Sequence, residues 1–141
     1  MSAFYCDSSA LVPLLLTDLH SVSIGAWLAS SPKTLIVSDF AAAEVSAAIS
    51  RRIRTREIDV EIAETALGTF DEWRRRSTTR RLTSPGDIAA CERLVRRFEL
   101  KLQAPDALHI AIALADGATL VTFDERLAQA MAGLGPCVVP T

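Results

Sequence analysis

The chain has 141 residues, half of them hydrophobic, with 15 basic and 17 acidic side chains for a formal net charge of −2. That length can bury a core and makes a single domain over residues 1–141 the expectation, and no stretch is low-complexity. No apolar run is long enough to span a bilayer and no charged-then-apolar leader opens the sequence, so a cytoplasmic protein without membrane association is expected.

An apolar run over residues 3–6 reads as one buried strand and stops at Asp7. Ser8 and Ser9 then lead into a short helix over 8–16, and a polar break at Thr17 to His20 separates it from a second helix through Val22, Ile24, Trp27 and Leu28. Ser30-Ser31-Pro32 ends that helix, and Thr34 to Val37 is a β-branched, apolar second strand. Ser38 or Asp39 caps a helix with the stripe Val45, Ala48, Ile49 and Ile53. A long amphipathic helix is expected over Glu57 to Arg76, followed by a short third strand at Arg80 to Thr83.

Ser84-Pro85-Gly86-Asp87 is a helix start: serine as N-cap, proline at the first position and an acid three residues on. The helix it opens is expected to bury Ile88, Cys91, Val95, Phe98 and Leu102. Gln103 to Asp106 opens a helix that is apolar almost all round and must lie against the sheet, with Gly117 just past its end. Thr119 to Thr122 is a strand, a helix through Leu127, Ala130 and Met131 follows, and Cys137 to Val139 forms an edge strand bounded by prolines. The alternation gives an α/β fold with a largely parallel sheet of four or five strands flanked by helices. Cys6, Cys91 and Cys137 are odd in number and sit in apolar runs, as small buried hydrophobes of a reducing compartment do.

Four acids fall at structurally comparable places: Asp7 and Asp124 at strand ends, Asp106 at a helix start, and Glu44 inside the helix after the second strand. Two of them have a local explanation. Asp124 can cap the helix after it, and Asp106 sits favourably on a helix dipole. Glu44 has no local partner: the residue three before it is Ala41, so no capping box forms, and Ala47 and Ala48 offer no ion pair. If the first strand is central, with βα units wound outward on both sides, the four acids meet at the topological switch point. Four carboxylates there repel one another, and oxygen-only donors suit Mg²⁺ or Mn²⁺, whose chemistry on a phosphate ester is hydrolysis. Charge is uneven as well. Residues 51–97 hold twelve arginines against eight acids, whereas the remainder, with all four of these acids, holds three basic residues against nine. An acidic site beside an arginine-rich middle suits a polyanion, although arginine runs are also ordinary solvated helix ends.

The pattern resembles the PIN-domain ribonucleases, and within them the VapC toxins of VapBC toxin–antitoxin pairs. Its marks are Asp7-Ser8-Ser9-Ala10-Leu11 after the first strand, Glu44 in an alanine-rich helix, Asp106-Ala107-Leu108-His109 opening a buried helix, and Thr122-Phe123-Asp124 near the end. The resemblance implies a PIN-like fold whose metal sits on Asp7, Glu44, Asp106 and Asp124, with Ser9 and Thr122 supporting the site by hydrogen bonds. It also implies a Mg²⁺- or Mn²⁺-dependent endoribonuclease acting on RNA, a small VapB-like antitoxin as partner, and homodimerisation. His109 receives no catalytic role. An aspartyl-phosphate phosphatase is excluded by Ser9, where a second aspartate is needed. A phospho-acceptor receiver is excluded because neither Lys33 nor Lys101 ends a strand. A non-catalytic RNA- or partner-binding module, with the acids as caps, remains the alternative.

Overall fold

The computed structural model describes residues 2–141. Five strands, β1 (Ala3–Cys6), β2 (Thr34–Ser38), β3 (Thr79–Arg81), β4 (Thr119–Val121) and β5 (Cys137–Val138), form one sheet in the order β3-β2-β1-β4-β5. Every neighbouring pair is parallel, so β1 is central and the winding reverses between β1 and β4. Side chains alternate across the sheet. Phe4, Cys6, Leu35, Val37 and Val121 pack on one face, while Tyr5, Ile36 and Leu120 pack on the other. Both faces are therefore covered, as a parallel sheet requires.

On the first face lie α1 (Ser8–Leu15), α2 (Ser21–Ala29), α3 (Asp39–Arg54) and α4 (Val60–Ser77), contributing Leu11, Ile24, Val45, Ile49 and Phe70. The second is covered by α5 (Pro85–Val95), α6 (Ala104–Ala115) and α7 (Glu125–Ala132), through Cys91, Ile110, Ile112, Leu127 and Met131. Helix α6 is the apolar one expected from its sequence; residues 107–113 are all buried. It ends in a Schellman motif, with Gly117 at φ 61° and bonds from Ala118 N–H to Ala113 O and from Gly117 N–H to Leu114 O. Ser84 and Asp87 form the reciprocal capping box that opens α5.

Three expectations shift. The long helix starts at Val60, not Glu57, because Arg56 adopts a left-handed φ of 61° in the turn after α3 and Asp59 supplies the cap. The third strand ends at Arg81, since Thr83 is drawn off by two hydrogen bonds to Asp39 Oδ1. Ile88 and Phe98 are exposed instead of buried. Helix α5 stops at Val95, so extending its periodicity to Phe98 runs into a 3-10 turn (Phe98–Leu100).

Candidate functional site

The C-terminal ends of all five strands lie on one edge of the sheet, and Asp7 follows β1 directly at the point where the winding reverses. Its side chain is buried, only 4% exposed. Oδ1 accepts from the Ser9 hydroxyl at 2.7 Å and from the Ala10 N–H at 3.2 Å, which makes Asp7 the N-cap of α1. Oδ2 accepts from the Thr122 hydroxyl at 2.8 Å. Burial pushes the Asp7 carboxyl above the usual range, opposed by His109, Ser9, Thr122 and Ala10.

The same two hydroxyls fix the segment leaving β4. Ser9 Oγ accepts from Phe123 N–H at 2.9 Å, and Thr122 Oγ1 accepts from Asp124 N–H at 3.0 Å. Asp7 and Asp124 are thus held in a set relation by Ser9 and Thr122, 113 residues apart in sequence. Asp124 caps α7 through Oδ1, which accepts from Arg126 N–H at 3.0 Å and Leu127 N–H at 3.2 Å.

Asp106 lies half-buried in the first turn of α6. Burial raises its pKa, and so do the charges of Asp124 and Glu44, with His109 and Arg126 opposing. Glu44 projects from α3, and its Oε1 meets His109 Nε2 at 2.5 Å. His109 is itself buried on α6 and its Nδ1 lies 2.7 Å from the Tyr5 hydroxyl, which lies 2.8 Å from Ser38 Oγ. Sequence reasoning weighed His109 as packing or as a support to the site and gave it no catalytic role. The signal that finds it is spacing, since it stands one helical turn beyond Asp106 on the same face. Tyr5 and Ser38 passed as a core strand residue and a helix cap.

Among the described residues, no three acidic, histidine or cysteine side chains are drawn together tightly enough to form a metal-holding group as they stand. The donor chemistry nevertheless fits a hard divalent cation. Glu44 Oε2, Asp124 Oδ2 and both oxygens of Asp106 have no hydrogen-bond partner among the described residues. None of the four acids is ion-paired to Arg or Lys among those residues, although Asp18, Glu57, Asp71, Glu72, Asp87, Glu92, Glu99 and Asp116 all are.

The arginine-rich middle is less free than its count suggests. Arg52 reaches Asp18 at 3.8 Å and Glu57 at 3.6 Å, and Arg74, Arg75 and Arg76 are tied to Asp71 and Glu72. Arg51, Arg54 and Arg56, at the end of α3, are exposed and have no acidic partner among the described residues.

A family model described as PIN domain matches residues 4–132. Among solved structures, VapC20 of Mycobacterium tuberculosis, described as a sarcin-ricin loop cleaving toxin, is 21% identical with a TM-score of 0.72, covering 91% of this chain and 95% of that one. VapBC2 from Rickettsia felis, bound to a DNA fragment from its promoter, is 16% identical with a TM-score of 0.70, covering 96% and 97%. A toxin–antitoxin complex from Klebsiella pneumoniae is 20% identical with a TM-score of 0.65, covering 99% and 98%. At these identities the likeness is one of fold. No curated protein matches the chain in sequence.

Proposed function

The chain belongs to the PIN domain family, and on that footing we propose that it is a Mg²⁺- or Mn²⁺-dependent endoribonuclease, the toxin of a type II toxin–antitoxin pair. The observation that carries the reading is electrostatic. Burial, then the charges of Asp124 and Glu44, raise the pKa of Asp106 at the sheet edge, and no arginine or lysine pairs with any of these acids among the described residues. Such a set is stabilised by a divalent cation, and Asp7, Glu44, Asp106 and Asp124 are the residues that would hold it. Held there, a divalent cation would supply Lewis acidity toward a phosphoryl oxygen, an activated water and charge stabilisation for the leaving oxygen of an RNA phosphodiester.

The protein's own contribution is placement. Ser9 and Thr122 orient Asp7 and tie it to Asp124, α6 delivers Asp106 at its N-terminal turn, and α3 brings Glu44 from the other side of β1. The arginines at the end of α3 offer phosphate contacts to the same strand. A VapB-like antitoxin as partner is supported by fold neighbours solved as toxin–antitoxin complexes. Homodimerisation belongs to the same reading and rests on the family alone.

One observation favours the non-catalytic alternative: Asp7 and Asp124 are both helix N-caps. Purified protein incubated with RNA separates the two. Cleavage that stops in EDTA and returns with Mg²⁺ or Mn²⁺ supports the nuclease, and sequencing the new RNA ends gives its specificity. Cleavage undiminished in EDTA, or no cleavage under any metal condition, sinks it.

A further inference from the structure

The contact between His109 and Glu44 closes a ring of hydrogen bonds. An ionised glutamate only accepts, so His109 Nε2 carries the proton and donates to Glu44 Oε1 at 2.5 Å. With Nε2–H donating to Glu44, the Tyr5 hydroxyl at 2.7 Å is placed to donate to Nδ1. The Tyr5 oxygen then accepts from Ser38 Oγ at 2.8 Å, and Ser38 Oγ accepts from the Ala41 N–H at 2.9 Å. One direction satisfies all four bonds, with the Ala41 N–H as the first donor and Glu44 as the last acceptor.

The ring begins at Ala41 and returns at Glu44, so it starts and ends on α3 after crossing β2, β1 and α6. Tyr5 and Ser38 are fully buried and His109 is 2% exposed, whereas Glu44 alone reaches the open edge. Tilted ring contacts from Tyr5 at 5.7 Å and Phe40 at 5.2 Å further fix the imidazole plane. Glu44 is left with Oε2 unpartnered among the described residues.

We infer that His109, held by Tyr5 and Ser38, is a positioning residue that fixes the Glu44 carboxylate and leaves its Oε2 free for a cation that the four acids would hold. The inference rests on the metal reading above and assigns His109 no contact with RNA. A histidine that only satisfies the core would give the same fold but would leave cation affinity unchanged.

The test is calorimetric titration of Mn²⁺ into wild type, Glu44→Gln, His109→Leu, His109→Gln, Tyr5→Phe and the double variant Glu44→Gln/His109→Leu, with thermal melts in EDTA recorded for each. His109→Leu should bind Mn²⁺ about 10–100-fold more weakly, the usual cost of losing an orienting partner of a metal ligand. His109→Gln should recover part of that loss, because its amide N–H can stand near the Nε2 position. Tyr5→Phe should weaken binding in the same direction, and it alone carries the test if His109→Leu fails to fold. In the Glu44→Gln background, His109→Leu should cost little more. Weakened Mn²⁺ binding by Glu44→Gln, with wild-type affinity in both Tyr5→Phe and His109→Leu, overturns the positioning role while leaving the metal site standing. Wild type that binds no Mn²⁺ overturns the metal reading and this inference with it.

Discussion

Replacing Asp7 by asparagine and, separately, by alanine divides what its charge does from what its hydrogen bonds do. Both changes remove the charge, so both should lower the rate on RNA by at least about 100-fold, roughly 2.7 kcal/mol of transition-state stabilisation. They differ in what they leave for the neighbours. Asparagine keeps Oδ1 for the Ala10 N–H and the Ser9 hydroxyl, and its amide can donate to Thr122 Oγ1 while the Thr122 hydroxyl turns to Ser9, 3.1 Å away. Alanine strands all three donors. At about 1 kcal/mol for each lost bond, Asp7→Ala should be less stable than Asp7→Asn by roughly 2–3 kcal/mol. For a chain of this size that is a difference of roughly 6–9 °C in melting temperature. Thermal melts in EDTA give the stability term, and single-turnover cleavage with excess Mg²⁺ gives the rate. An Asp7→Asn protein that cuts as fast as wild type would refute the metal role of Asp7. If the asparagine variant melts as low as the alanine one, lost activity reports a damaged fold instead of a missing charge.

Four more outcomes follow from the same structure. Changing Arg51 and Arg54 to alanine should flatten the salt dependence of RNA binding by up to about 1.4 units of slope, at about 0.7 per phosphate contact on a single strand, and an unchanged slope returns them to ordinary solvated surface. Arg52→Ala, which breaks the contacts to Asp18 and Glu57, should instead lower stability by about 1 kcal/mol and leave the slope alone. Asp87 is held down to about 2, chiefly by the two bonds from Arg81, so its folded form binds fewer protons than the unfolded one. Its contribution, roughly 2 kcal/mol, is then present above about pH 4 and lost as pH falls through about 2. Urea unfolding should show Asp87→Asn less stable than wild type at pH 7 and equal to it near pH 2, and a pH-independent gap would contradict this. Asp106→Asn should melt higher than wild type in EDTA at pH 8, where the cost of ionising a carboxyl with a raised pKa is complete, and should gain less from Mg²⁺. A variant that melts lower in EDTA and responds to Mg²⁺ as wild type does would count against Asp106 as a ligand.

How far the sequence led depends on how local each signal was. Ser84-Pro85-Gly86-Asp87 and Gly117 were readable because caps and Schellman turns are settled within a few residues. The central place of the first strand entered the sequence reading only as a condition, which parallel βα units with one reversal meet in few arrangements. Phe98 misled because a helical stripe carries no mark of where the helix stops when no proline or glycine ends it. The ring through Glu44, His109, Tyr5 and Ser38 was out of reach, since its side-chain contacts join residues 65, 104 and 33 positions apart. Ser9 and Thr122 entered only through the family pattern, because no local rule pairs hydroxyls across 113 residues.

The four acids pose a subtler case, since local explanations competed with a shared one. The structure dissolves the competition for Asp124, whose Oδ1 takes both cap bonds of α7 while Oδ2 has no partner among the described residues. Asp7 caps α1 and receives two hydroxyls, three bonds in all, against about four acceptor sites on a carboxylate. A cap fixes where one oxygen points and so aims the other. Capping is therefore a means by which two of these acids can be held rigid enough to serve a cation, so a cap at such a position does not by itself decide between the two readings.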